Sequence, residues 1–146
     1  MKCGTFGASP STHTCYCFGD LEGKLKILDL EKEKVFWEVD AHTKIVNSVD
    51  GAGSLGHGYG PCEIVSGGRD GSVRLWDPRQ QTPVISLDPA EADVIPDCWT
   101  VSFGNAHNSE QRVIAAGYDN GDVKLFDLKT QMFLWDTNLK NGVCGL

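Results

Sequence analysis

Hydrophobic and polar positions alternate in short bursts along this chain, and the bursts recur in three similar copies. Residues 19–29 read GDLEGKLKILD, residues 67–77 GGRDGSVRLWD and residues 117–127 GYDNGDVKLFD. In the second copy Val73 and Leu75 fall on one side, with Arg74 and Trp76 on the other. In the third, Val123 and Leu125 oppose Lys124 and Phe126. This period of two predicts strands, with the basic residues at 26, 74 and 124 marking the wetter face. Each alternating stretch follows a turn signal: Asp70-Gly71, Asn120-Gly121 and, more weakly, Glu22-Gly23. Asp and Asn bond their own backbone there, and Gly accepts a positive φ.

A second apolar run precedes each turn, at 15–18, 64–66 and 113–116, so each copy predicts a hairpin. Further strands follow each terminal Asp, at 35–37, 84–87 and 132–135. One more precedes each hairpin, at 2–6, 45–50 and 99–103. The prediction is an all-β chain of four-stranded antiparallel units at about 1–40, 41–90 and 91–137. A stub at 138–146 follows, in which 142–146 reads as the first strand of a fourth unit. The closing aspartates, Asp29, Asp77 and Asp127, are 48 and then 50 residues apart. Units of that size bury their faces only by stacking on neighbours, which points to recognition work and away from a single catalytic pocket.

The Trp76-Asp77 pair, with the upstream Ala41-His42 step, resembles the WD-repeat β-propeller family, whose four-stranded blades ring a central axis. In that family a His, a Ser or Thr, an Asp and a Trp hydrogen-bond within one blade. The resemblance places His42, Ser66, Asp70 and Trp76 in those positions. The first unit has Glu22 and Leu28 at the Asp and Trp positions, and the third has Asn120 and Phe126, so those two blades are expected to be less tightly tied. The stretches at 2–8, 66–80, 97–106, 116–128 and 137–144 are similar to one co-chaperone-linked branch of the family. That likeness implies a non-enzymatic adaptor with protein partners, namely R2TP and prefoldin-like co-chaperone components and dynein arm assembly clients, with a further link to apoptosis. It also implies an incomplete ring, because members of that branch are longer, so that this chain begins inside their second blade. A truncated product without independent function is the alternative.

Composition narrows the partners. The net charge of −7 and pI of about 4.9 argue against nucleic acid and anionic membrane. No apolar run approaches the roughly 20 residues of a membrane span and no signal-peptide pattern opens the chain, so a cytoplasmic location is expected. The six cysteines, at 3, 15, 17, 62, 98 and 144, are then expected to be reduced. Cys3, Cys98 and Cys144 read as equivalent small hydrophobes on successive first strands. His13, Cys15 and Cys17 have metal-ligand residue types, but Cys-x-Cys is poor zinc spacing, and no metal or cofactor is expected.

His42, Ser66 and Asp70 also have the residue types of a hydrolase triad, but their spacing is that of the propeller's internal bonds. A propeller enzyme would need titratable groups converging from several first strands; Asn47, Asp50, Trp99 and Thr100 offer no such set. The glycine-rich run at 51–60 lacks the Gly-Lys-Ser/Thr ending of a phosphate loop. It and the acidic, proline-bearing run at 88–97 read as long loops able to meet partners. By resemblance to other propellers, the partner-binding candidates are Arg69 and Asp119 at the turns and Asn47, Asp97 and Trp99 on the first strands. Tyr118 is a weaker one. Arg and Trp are the types most often found at interface hot spots, which raises Arg69 and Trp99 above the others.

Overall fold

The computed structural model describes residues 1–9, 12, 14–53, 60–104 and 110–146. Twelve strands form three sheets among these residues, and no helix is present. The first sheet holds β1 (Cys3–Thr5), β2 (Cys15–Gly19), β3 (Lys24–Asp29) and β4 (Lys34–Asp40) in that order. The second holds β5 (Val46–Ala52), β6 (Glu63–Gly68), β7 (Val73–Trp76) and β8 (Ile85–Leu87). The third holds β9 (Cys98–Gly104), β10 (Val113–Tyr118), β11 (Asp122–Asp127) and β12 (Met132–Asn138). Every neighbouring pair is antiparallel, and the three sheets are open, as a partial WD-type propeller requires.

The repeated residues have local causes. Gly23, Gly71 and Gly121 take φ of 87°, 79° and 90° in the central hairpin turns, where a side chain would be strained. The closing aspartates shape the next turn: Asp29 Oδ1 accepts from the Glu31 and Lys32 amides, Asp77 from Arg79 and Asp127 from Lys129. These short side-chain loops turn the chain into the outer strand, which explains why the motif ends in Asp.

Two cores lie between the sheets. Leu25, Ile27 and Trp37 of the first sheet pack with Ile64 and Trp76 of the second. Val65 and Val73, on the opposite side of the second sheet, pack with Cys98, Ile114 and Phe126 of the third. The second sheet is therefore covered on both faces. This corrects one expectation: Trp76 shares a side with Arg74 yet is 1% exposed, because the first sheet covers that side and sets Trp37 edge-on at 6.1 Å between ring centroids. The outer sheets each keep an open face. Tyr16 and Phe18 stack on that of the first, and Trp135 stands half-exposed on that of the third.

Residues 142–146 form no strand, contrary to expectation. Val143 nevertheless docks there. Its amide donates to the Tyr118 carbonyl at 3.0 Å, and its side chain lies against Gly117 as Val46 lies against Gly19. The cysteine equivalence also fails by register. Cys3 sits opposite Gly19, where the second and third sheets place Ser48 and Thr100. Cys98 is buried, and Cys3, two residues further along its strand, is half-buried. Cys144 is exposed, since it falls one residue past the Cys98 position and a one-residue shift turns a side chain to the other face.

Candidate interaction surface

The second sheet is tied by one hydrogen-bond chain. Trp76 Nε1 donates to Ser66 Oγ at 2.9 Å, and Ser66 Oγ lies 2.8 Å from His42 Nε2. His42 Nδ1 lies 3.0 Å from Asp70 Oδ1 and 2.9 Å from Ser72 Oγ. An indole N–H only donates, so the directions follow: Trp76 to Ser66, Ser66 to His42 Nε2, and the His42 Nδ1 proton to Asp70. This tautomer is assigned from the partners. Asp70 also accepts from Ser72 Oγ at 2.7 Å and from the Thr43 amide at 2.8 Å. Burial favours the protonated Asp70, but the bonds from His42, Ser72 and Thr43 outweigh it and hold the carboxyl well below the usual range.

The structure thus brings His42, Ser66, Asp70 and Trp76 together, and it adds Ser72. The signal for Ser72 was in the chain: a hydroxyl two residues after a turn Asp can fold back onto it. Ser66 is fully buried, and its hydroxyl is engaged on both sides. The equivalent turns of the other sheets are tied differently. Lys24 bonds Glu38 at 3.0 Å in the first, and Asn138 bonds Asp122 at 2.8 Å in the third.

The partner-binding candidates lie at the end of the sheets that carries the central turns and the starts of the first strands, and the structure divides them. Arg69 Nε sits 3.2 Å from Asp97 Oδ2, so two candidates join across the seam between the second and third sheets. The Asp119 amide donates to the Asp97 carbonyl at 3.0 Å, as the Arg69 amide does to Ile45 at 2.8 Å. Asn47 spends its amide on the Cys98 carbonyl at 3.0 Å, linking adjacent first strands. Trp99 is 41% exposed, so it is not a core aromatic; its ring lies over Gly142. Lys2, Asn47, Trp99 and Cys144, one from each successive first-strand position, line a shared depression of about 300 Å³. Tyr118 is buried, and burial raises its hydroxyl's pKa.

Among the described residues no group of His, Cys, Asp and Glu is placed to hold a metal ion. His13 and most of the glycine-rich run, residues 54–59, lie outside the described residues. Cys15 and Cys17 are both buried, and all six cysteines are free thiols. Burial pushes Cys3 up to about 11 and Cys98 to about 12, which keeps both protonated near neutrality. Among the described residues no helix is long and apolar enough to cross a membrane.

The WD domain, G-beta repeat family matches residues 33–77, the stretch that holds the His42 to Trp76 chain. Dynein axonemal assembly factor 10 of Homo sapiens is 51% identical over 148 aligned residues, covering all of this chain and 42% of that protein. The protein of the same name from Chlamydomonas reinhardtii is 49% identical, over all of this chain and 41% of its own length. The chain therefore spans about two-fifths of the curated relatives it matches. The crystal structure of the computationally designed Ika4 protein superposes with a TM-score of 0.74 at 18% identity, over 99% of this chain and 77% of that one, which speaks for the fold alone. With three four-stranded sheets, the Trp76-Asp77 pair inside the matched stretch and this identity along its whole length, the chain belongs to the WD-repeat family.

Proposed function

We propose that this chain is a non-enzymatic protein-binding segment of an axonemal dynein assembly factor, working in the cytoplasm with co-chaperone components of the R2TP and prefoldin-like type. The observation that carries this reading is the identity of about 50% over the whole chain to proteins named for dynein axonemal assembly, in organisms as distant as human and green alga. The binding end in this reading is the one bearing Arg69, Asp97, Trp99, Asn47 and Asp119. Arg69 and Trp99 supply the contacts, and Asn47 and Asp97 hold the strand starts in place. A cation at a tight turn and a large aromatic on a strand suit a protein partner.

The test is co-purification of the tagged chain from ciliated cells, beside the Arg69→Ala and Trp99→Ala variants. Recovery of dynein chains and co-chaperone components that falls with either variant supports the reading. Unchanged recovery in both variants removes this end from the binding surface, and absence of both classes of protein removes the function. A second reading, a truncated product that does not act alone, is favoured by the open faces of the outer sheets, where Phe6 is 52% and Trp135 50% exposed. Size-exclusion chromatography separates the two, since such faces drive aggregation when nothing covers them.

A further inference from the structure

A second surface adjoins that end, on the flank where the second sheet meets the third. There the acidic loop at 88–97 stands off the outer strands and leaves a cleft of about 430 Å³. One wall is Pro89, Ala92 and Pro96 of the loop; the other is Tyr118 and Phe133 of the third sheet. The loop is anchored at both ends. Asp88 accepts from Ser86 Oγ at 3.1 Å and lies 3.6 Å from Arg74, while Ile95 sits so close to Gly71 that a methyl group there would meet it at 2.5 Å. Two prolines within eight residues further limit its conformations, so the cleft exists before anything enters it.

Carboxylates outnumber cations around the cleft. Glu91 and Asp93 stand exposed on the loop beside the lining residues Ala90 and Ala92, with no ion-pair partner among the described residues, and Asp122 lines the cleft from the third sheet. The cation of the cleft, Lys124, is already covered: its ammonium lies over the Tyr118 ring at 5.2 Å and beside Asp122. Phe133, 57% exposed, gives the cleft an apolar wall that water does not favour.

We propose that this cleft is a docking site for a short basic peptide segment carrying a bulky apolar side chain. The side chain fills the space between the loop prolines and Phe133, and flanking Lys or Arg residues meet Glu91 and Asp93. Phosphate-bearing ligands are repelled by the same carboxylates, and a second copy of a chain with net charge −7 is disfavoured. The occupant is therefore a cationic stretch of another protein.

The experiment uses the full 146-residue chain and a fluorescein-labelled probe, Gly-Lys-Arg-Leu-Phe-Lys-Arg-Gly, read by fluorescence anisotropy at physiological salt. Saturable binding is expected, weakened about tenfold or more by Glu91→Lys with Asp93→Lys, as for reversal of charges facing a ligand. A probe with Ser-Ser in place of Leu-Phe should lose a similar factor. Reversal at a distant turn, Glu31→Lys with Glu33→Lys, should change affinity less than about twofold, because screening cuts off charges beyond roughly 10 Å. No saturable binding overturns the proposal. So does equal weakening by the two reversals, which would mean unspecific attraction, and so does equal binding of an all-Glu version of the probe. All four substituted positions are exposed, so loss of folding does not confuse the outcome, and circular dichroism checks it.

Discussion

The second and third sheets share strand order, antiparallel pairing and turn geometry, yet they are held differently. The second is covered on both faces and carries the chain from Trp76 through Ser66 and His42 to Asp70, with Ser66 and Trp76 almost wholly buried. The third has Phe126 and Asn120 in the corresponding places; it ties its turn through exposed bonds among Asn120, Asp122 and Asn138, and leaves Trp135 half in water. The difference shows that the ladder and the lock are separable. Turn chemistry and alternation are enough to build a four-stranded sheet, whereas the buried polar chain fixes one sheet to the segment that enters it.

The contrast is broken most strongly at the two tryptophans. Trp76→Ala should cost about 3–5 kcal/mol, the range for a fully buried large side chain that leaves a cavity. Trp135→Ala should cost less than about 1 kcal/mol, since half of its surface already meets water. Urea denaturation followed by circular dichroism measures both, and equal losses would erase the distinction between the sheets. At the turns, Asp70→Ala should cost about 1–3 kcal/mol by stranding His42, Ser72 and the Thr43 amide. Asn120→Ala, whose bonds are exposed, should fall below that range.

Acid sharpens the same comparison. Asp70 has a folded-state pKa below its unfolded value, so the unfolded chain binds the proton first as pH falls and stability drops with it. The stability gap between wild type and Asp70→Ala should therefore be full above about pH 4, the ordinary Asp range, and narrow below it. A gap that stays constant down to acid unfolding would mean that the carboxylate charge plays no part. The smallest effect belongs to Arg69→Ala: its pair with Asp97 is more than half exposed on the Arg side, and the loss should stay within about 1 kcal/mol. Such a variant separates binding from folding, which Trp76→Ala cannot do.

Much of the architecture was legible in the chain. Gly23, Gly71 and Gly121 marked the central turns, Asp29, Asp77 and Asp127 the outer ones, and the apolar runs between them became strands. The resemblance to WD-repeat blades pointed to His42, Ser66, Asp70 and Trp76 as one set. Asn47 was read as a surface contact, yet its amide bonds the Cys98 carbonyl, 51 residues away in sequence. Arg69 and Asp97 were each singled out, but nothing local said that they pair with each other. Cys144 matched Cys3 and Cys98 as a residue type, while the register gave the packed place to Val143.

Sequence by itself determined what depends on near neighbours: strand alternation, turn positions and the number of repeating units. These follow from backbone sterics and from bonds that close within a few residues. Only the tertiary structure decided which face of each sheet is covered, which charged groups meet across a seam, and that the loop at 88–97 leaves a cleft beside Phe133. Those outcomes depend on how one sheet lies on the next. Period-two alternation cannot report them, because it separates the two sides of a strand without saying what each side will meet.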